Sequence, residues 1–555
     1  MIELRNKDNN NYFLDFTGEL RDKFILLREL AYYCDEIKRI DDNRWIINKD
    51  IGRLLEDKFN TQRIVEPYES IGQGLKYDPY MYQKEIIYFT MNHENSLVVS
   101  PTGSGKTMIM IALYNELRLS NKINTPGIIV VPASLKYQWT KEVSKFSNYT
   151  AKAIDSPSKM GKKFDAQFED CDLFICNYEV LKNKSVADKL FAAGCEFIAA
   201  DEIQYVKSHK AVRSKALYAF NKLPYRYGFT ATPITKNPED IFGIFNFIDQ
   251  DLFQKHGKFA SNYIIYKGHG RVAGAKNVDH LKNQIAPYMF IKSEEEISDQ
   301  LPELIVTPIY IPMDKKTAKI NEEIMADLKK AQDTVDAIEA RIKDPKLLDT
   351  NAEYRQASAK VLAYQTFAQE LADDPRLLKM SESNMSNQYN IEGLKNPKLE
   401  VLIDLINDII EADETVCIFT RYERMQQILM NELKQEFKGV DIAYINGSMN
   451  AEERYEQAYT LFQDTDSYKI LIMTNAGQAG ISLSKCKNLI EYDLADSYAN
   501  QIQRHGRIKR ADSISRISNV KQLILDDSYD KIAEKIITKK KNYDADIIQS
   551  LKEND

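Results

Sequence analysis

Three groups of residues in this chain have the types and spacing for chemistry on a phosphate. The first is Ser100-Pro101-Thr102-Gly103-Ser104-Gly105-Lys106-Thr107. It follows the apolar Leu97-Val98-Val99 and precedes Met108-Ile109-Met110-Ile111-Ala112-Leu113-Tyr114. Strand, glycine-rich turn, Lys-Thr and helix together make a phosphate-binding loop. The glycines let backbone N–H groups curl around an anion with no Cβ in the way, and the helix N-terminus adds partial positive charge. Lys106 is placed to reach β and γ phosphates, and the Thr107 hydroxyl suits Mg²⁺. Thr102, Gly103, Ser104 and Gly105 form the cradle itself. The strict pattern has Gly where Ser100 stands, outside the tight part of the turn. The bland alternative is a glycine-rich turn that holds nothing.

The second group is Asp201-Glu202-Ile203-Gln204, directly after the apolar Phe197-Ile198-Ala199-Ala200. An acidic pair at the C-terminal end of a strand lies where open α/β sheets bind ligands. Asp201 is suited to Mg²⁺, and Glu202 to orienting and deprotonating an attacking water. Such a pair also starts helices. The third group is Gln503-Arg504-His505-Gly506-Arg507-Ile508-Lys509-Arg510. Charge developing on a transferring phosphoryl group needs cations, and guanidinium supplies them with fixed geometry. Arg507 and Arg510 are three apart and would share a helix face; a solvated basic helix is the other reading.

These groups must be carried by elements that face one another. From 97 to 250 short apolar strands alternate with helical stretches: Leu97–Val99, Gly127–Val131, Leu173–Cys176, Phe197–Ala200 and Tyr227–Thr230. The pattern returns from 395, with strands at 415–420, 442–445, 470–473 and 488–492. The alternation predicts α/β architecture: two doubly wound parallel-sheet lobes. A charged, Ala-rich, helix-favouring stretch between them reads as a helical protrusion with a solvated face. The expected division is an accessory domain at 1–75, a first lobe at 76–310, the protrusion at 311–395 and a second lobe at 396–555.

With 555 residues the chain exceeds one core. Its net charge is −7, from 75 basic and 82 acidic residues, which argues against a protein that merely coats nucleic acid but not against a local phosphate-gripping groove. No apolar run approaches a membrane span, the N-terminus lacks a signal-peptide pattern, and the six cysteines show no paired zinc spacing. The expectation is a cytoplasmic, membrane-free, monomeric protein. Abundant Asn, Ile, Lys and Tyr point to an AT-rich bacterial or viral genome.

Taken with the three groups, further segments resemble a superfamily 2 helicase-type motor of the Snf2 family. The resemblance covers about residues 78–530. Tyr82-Gln83 is similar to the adenine-recognising Q motif, and Val130–Trp139 to motif Ia. Asn177-Tyr178-Glu179 and Thr230-Ala231-Thr232-Pro233-Ile234 resemble the next strand-end motifs, and Leu301-Pro302 the family's Leu-Pro after the first lobe. Thr474–Leu483, including Gly480, looks like motif V. Departures are Ala231 for the usual Gly, Ser482 for Asn and Gln204 for His, and the basic pair before Leu301 is missing. The resemblance implies RecA-like lobes that sandwich ATP with Mg²⁺. Tyr82, Gln83 and Gly480 would belong to the nucleotide site, and Gln503, Arg507 and Arg510 would act in hydrolysis. It further implies a translocase on double-stranded or forked DNA, gripping phosphates through Ser134, Lys136, Thr232, Thr420, Arg421 and Thr474, and associated with the nucleoid when bound to DNA. A strand-separating DNA or RNA helicase, the motor of a larger restriction or remodelling complex, and a scaffold that binds ATP without turnover are the competing readings. Residues 1–75 are similar to the small HARP-type domain of annealing helicases, a resemblance that implies Arg44 and Trp45 meet a DNA junction by charge and stacking; the other reading is a small accessory fold whose Trp45 is simply core.

Overall fold

The computed structural model describes residues 71–231, 239–267, 271–342, 345–381, 383–475, 481–511 and 513–538, with parts of 2–70. The N-terminal strands β1 (Ile2–Asn6), β2 (Asn11–Phe16), β3 (Ile37–Arg39), β4 (Arg44–Asn48) and β5 (Thr61–Ile64) form one sheet in the order β3-β4-β2-β1-β5. Alternation sets its inner face: Leu4, Leu14, Trp45 and Ile47 are buried together with Leu26, Leu30, Ile51 and Leu55. Trp45 is 3% exposed: the indole belongs to the core, as the accessory-fold reading expects, and the alternative role for it at a DNA junction is corrected. Arg44 is exposed and forms two hydrogen bonds with Asp15.

The first lobe holds β6 (Asn95–Val99), β7 (Gly127–Val131), β8 (Ala151–Ala153), β9 (Leu173–Asn177), β10 (Phe197–Asp201) and β11 (Tyr225–Thr230), with a hairpin β12 (Ile264–Lys267) and β13 (Arg271–Ala275), then β14 (Met289–Ile291). Seven of these make a parallel sheet, β14-β6-β11-β10-β7-β9-β8. Period-two alternation divides each strand between two cores. Ile128 and Val130 pack on the side of Phe242 and Phe245, whereas Ile129 and Val131 pack on the side of Trp139 and Ile109. Helices α1 (Met81–Met91), α2 (Lys106–Leu119), α3 (Lys136–Phe146) and α4 (Glu239–Ile248) flank this sheet.

The second lobe has β15 (Glu303–Ile311), β16 (Val416–Phe419), β17 (Asp441–Ile445), β18 (Tyr468–Met473), β19 (Asn488–Glu491) and β20 (Ile517–Leu525), all parallel in the order β15-β20-β19-β16-β18-β17. Expected as the end of the first lobe, β15 instead pairs along its whole length with β20. Pro308 is tolerated because the strand is an edge. Helices α5 (Lys315–Arg341) and α6 (Ala352–Asp373) form the protrusion, α7 (Pro397–Glu411) covers the second sheet, and α8 (Tyr498–His505) carries the basic segment. Among the described residues no helix is long and apolar enough to cross a membrane.

Candidate functional site

The phosphate-binding loop joins the end of β6 to the start of α2. Gly103 (φ +81°) and Gly105 (φ +75°) take the left-handed conformation that side chains disfavour. Thr102, Gly103, Gly105, Lys106 and Thr107 line a cavity of about 590 Å³ together with Asp201, Glu202, Ser482, Arg507 and Arg510. That volume lies in the range of nucleotide-sized pockets.

Each charged group in the cavity feels the others. Burial holds the Lys106 ammonium below its ordinary pKa; the Glu202 and Asp201 carboxylates draw it back up, and Arg510 and Arg507 push it down. Its Nζ donates to the carbonyls of Ser100 (3.2 Å) and Pro101 (3.0 Å). Burial, and then the charge of Glu202, raise the Asp201 carboxyl to about 7. Burial lowers Arg507 to about 10, followed by repulsion from Arg510, so it stays cationic at neutral pH. A carboxyl pair and a hydroxyl beside the cations Lys106, Arg507 and Arg510 fit a dication and a polyanion, whose charges would offset those of the site. Thr107 and Asp201 would hold Mg²⁺.

The wall is shared by both lobes. Across the cleft, Ala511 N–H donates to Gly103 O at 3.1 Å, and Thr102 Oγ1 to Ile502 O at 3.4 Å. Lys509 forms an ion pair with Glu294. Farther along, Lys141 Nζ sits 3.3 Å over the Tyr455 ring, in a second interlobe groove that Ser134 helps to line.

The other expected site residues are placed differently. Tyr82 hydroxyl donates to Ser104 O at 2.7 Å, and Gln83 Nε2 to the same carbonyl at 3.0 Å. Gln83 Oε1 accepts from Tyr80 N. Both side chains brace the loop from below, and Ser104 is buried beneath it. Of this trio only Gln83 reaches the cavity wall. Gln503 lies outside that wall and accepts from Arg507 Nε through its carbonyl. Thr232 and Gly480 lie outside the described residues.

Two expected phosphate contacts, Lys136 and Thr420, are corrected, and a third, Arg421, already has partners within the lobe. Lys136 is 4% exposed and paired with Asp155 at 2.5 Å. Thr420 is fully buried and donates to Asp493. Arg421 is half-buried and pairs through one guanidinium nitrogen with Asp496 and the Leu494 carbonyl, with its backbone N–H on Asp493 and its Nε without a hydrogen-bond partner among the described residues. The buried Lys136 and Thr420 each found an internal acceptor, which offsets the cost of taking them out of water. Thr474 is buried as well; Ser134 lines the second interlobe groove.

Sequence reasoning missed the rest of the cavity. Tyr77, Tyr80, Trp139, Glu142, Lys145 and Phe146 also line it, and the aromatic rings among them suit a nucleobase. Their only signal was proximity to the Q-like segment and to Gln138-Trp139. Ser482 also lines the cavity, and its hydroxyl is buried with no hydrogen-bond partner.

Residues 72–377 match the model of the SNF2-related domain, and residues 397–512 that of the helicase conserved C-terminal domain. The chain belongs to the SNF2-related family. It carries that family's ATP-hydrolysing motor. Among curated relatives, the ATP-dependent helicase/translocase-type protein YwqA of Bacillus subtilis is 24% identical over 81% of this chain and 46% of its own length. Human SWI/SNF-related matrix-associated actin-dependent regulator of chromatin subfamily A member 1 is 23% identical over 72% of this chain and 37% of its own. The chain spans less than half the length of these curated relatives. A solved Sulfolobus solfataricus SWI2/SNF2 ATPase core in complex with dsDNA covers 88% of this chain and 95% of its own, at 21% identity and TM-score 0.39.

Proposed function

We propose that this SNF2-related motor uses ATP hydrolysis to move along double-stranded DNA and remodel it, by fork regression, annealing or displacement of bound protein. The observation that carries the reading is the shared cavity, in which Lys106, Asp201 and Glu202 of one lobe face Arg507 and Arg510 of the other. Lys106 and the loop N–H groups hold the β and γ phosphates of ATP. Glu202 orients and deprotonates the attacking water, and Arg507 and Arg510 offset charge on the departing phosphoryl group. Thr107 and Asp201 would hold Mg²⁺, which would supply further neutralisation of phosphate charge. Because the residues come from two lobes, the site is complete only when the lobes are together. Hydrolysis then frees them, and a duplex held by both advances on each cycle. Phosphate contacts by strand-end loops carry little sequence information and make binding salt-sensitive. Ser134 is the retained candidate, and residues 1–75 act as an accessory to this motor in a cytoplasmic, DNA-bound monomer.

The test is ATP turnover with duplex DNA, single-stranded DNA and RNA, run beside displacement of the third strand from a triplex. The reading expects the largest stimulation by duplex and net triplex displacement without strand separation. Stimulation by single strands or RNA alone, with unwinding, would instead establish a strand-separating helicase.

A further inference from the structure

The turn that follows α8 carries three cations in close succession: Arg507, Lys509 and Arg510. Arg507 and Arg510 line the cavity, whereas Lys509 pairs with Glu294 of the first lobe. The Lys509 side chain is 12% exposed and that of Glu294 53%. The ammonium is thus largely withdrawn from water, and the carboxylate that meets it stays at the surface.

Glu294 is fixed relative to the phosphate loop. Strand β14 runs beside β6, with Ile291 opposite Val99. The next residue, Lys292, donates its N–H to the Val99 carbonyl at 2.9 Å, immediately before the loop begins at Ser100. Glu294 stands just beyond. Ser293 N–H closes onto Glu296 Oε2 at 2.6 Å, and Ile297 is buried in the first lobe's core. The Lys292 ammonium is engaged by Glu85 and Glu296. The acid that meets Lys509 therefore rides on the strand beside the loop, not on a free-standing side chain of the surface.

The same turn touches the loop through its backbone. Ala511 N–H donates to Gly103 O at 3.1 Å. A Cβ added to Gly103 would lie 2.2 Å from the Lys509 carbonyl and 3.0 Å from Arg510 Cα, so these two residues lie flat against the glycine. Such contacts fix where the turn meets the loop but leave rotation about that point. A side-chain anchor away from the point removes the rotation, and Lys509 supplies one from between the two arginines. Like charges also crowd this turn, with repulsion from Arg510 helping to lower Arg507. A carboxylate outside the cavity draws the third cation away from them.

We infer that Lys509 is a positioning residue for hydrolysis: its ion pair with Glu294 docks the arginine-bearing turn on the first lobe in the orientation that aims Arg507 and Arg510 at the phosphates. The inference rests on the proposed role of those two arginines. Lys509 acts through them and through the backbone it shares with them.

The experiment uses the full chain at saturating duplex DNA. It measures kcat and KM for ATP, nucleotide affinity, the DNA concentration for half-maximal stimulation, and the melting temperature. Lys509→Ala and Glu294→Ala should each lower kcat about threefold to fivefold, the scale of one partly exposed ion pair. Lys509→Glu and Glu294→Lys set like charges together and should each cost about 20-fold or more. Nucleotide affinity and melting temperature should stay near wild type, because the pair lies outside the cavity. The decisive variant is the exchange, Lys509→Glu/Glu294→Lys, which should return kcat to within about threefold of wild type. Glu294→Lys, at an exposed position, keeps the test in force if Lys509→Glu does not fold. Wild-type kcat in the reversed-charge variants, or an exchange variant no faster than either of them, overturns the inference. So does a Lys509→Ala enzyme that needs more DNA yet reaches wild-type kcat at saturation, since the lysine would then be gripping DNA. Arg507→Ala and Arg510→Ala in the same preparations separate the failures. If they are slow while the Lys509 variants are not, the docking role alone is lost; if they too turn over normally, the arginine assignment is lost with it.

Discussion

Gly506→Ala should stop hydrolysis without unfolding either lobe. Gly506 follows the last turn of α8 with φ −66°, a conformation any residue adopts, so alanine costs no backbone strain there. Its added Cβ, however, would lie 2.4 Å from Thr102 Oγ1 and 2.5 Å from Thr102 Cβ, on the other side of the cleft. Ordinary contact begins at 3.4 Å, so the lobes must part by about 1 Å at this point. A displacement of that size between reacting groups costs on the order of 10²-fold in rate. The expected result is a fall in kcat near that size, a melting temperature close to wild type, and retained nucleotide binding, since the phosphate loop belongs to one lobe. Removing the obstacle supplies the control: in a Thr102→Gly background, Gly506→Ala should cost little more. Gly103→Ala is a harsher variant, because its Cβ would meet the Lys509 carbonyl at 2.2 Å and its φ of +81° adds about 1–2 kcal/mol of strain. ATP turnover and thermal melting of both variants decide the matter. A Gly506→Ala enzyme at wild-type kcat would refute the reasoning, because hydrolysis would then not require the lobes at this separation.

Other perturbations test separate parts of the account. Arg507→Ala should slow hydrolysis and also lower the melting temperature modestly, because its guanidinium donates to the Ile481 and Gln503 carbonyls at 2.8 Å; loss of kcat with intact nucleotide affinity is the signature to look for. Lys398→Ala should destabilise the second lobe by roughly 3–5 kcal/mol, since its buried ammonium pairs with Asp530 at 2.6 Å and Asp373 at 3.4 Å; thermal melts that move by less than a degree would contradict this. Glu370→Gln tests a pH effect. Burial raises Glu370 from 4.5 to about 7, with Arg424 partly offsetting. The folded state therefore holds a proton that the unfolded state loses between those values, and stability falls as pH rises through that window. The glutamine variant should melt higher than wild type at pH 8, with the gain vanishing by about pH 4.5; a gain of equal size at both pH values would exclude the carboxyl as its source.

Much of the site was legible because its residues act through local geometry. The loop before Lys106 and the acid pair ending β10 each declare themselves within a few residues of an apolar strand, and the five strands expected in the first lobe recur with only their ends shifted. The edge strand β15 was hidden because Thr307, Pro308 and its exposed positions break the apolar run that marks a central strand. Lys136, Thr420 and Arg421 have the residue types of phosphate ligands, but Asp155, Asp493 and Asp496 claim them from 19, 73 and 75 positions away, a pairing no local pattern encodes. Trp45 stayed open between core and DNA junction for a related reason: a Trp after an Arg on a short strand gives no sign of which face is covered. Gln204 stood out in the sequence only as a departure from the family pattern; its amide oxygen accepts from Thr230, 26 residues on.

The claim beneath all of this is that one lobe brings lysine and acids and the other brings guanidinium to a single triphosphate. Arg510→Ala, compared with Lys106→Ala for ATP turnover and nucleotide affinity in the same preparations, tests it most directly. The account predicts that both lose turnover, by about 10³-fold or more for a missing guanidinium, while Arg510→Ala still binds ATP. An Arg510→Ala enzyme that hydrolyses ATP at the wild-type rate would contradict it.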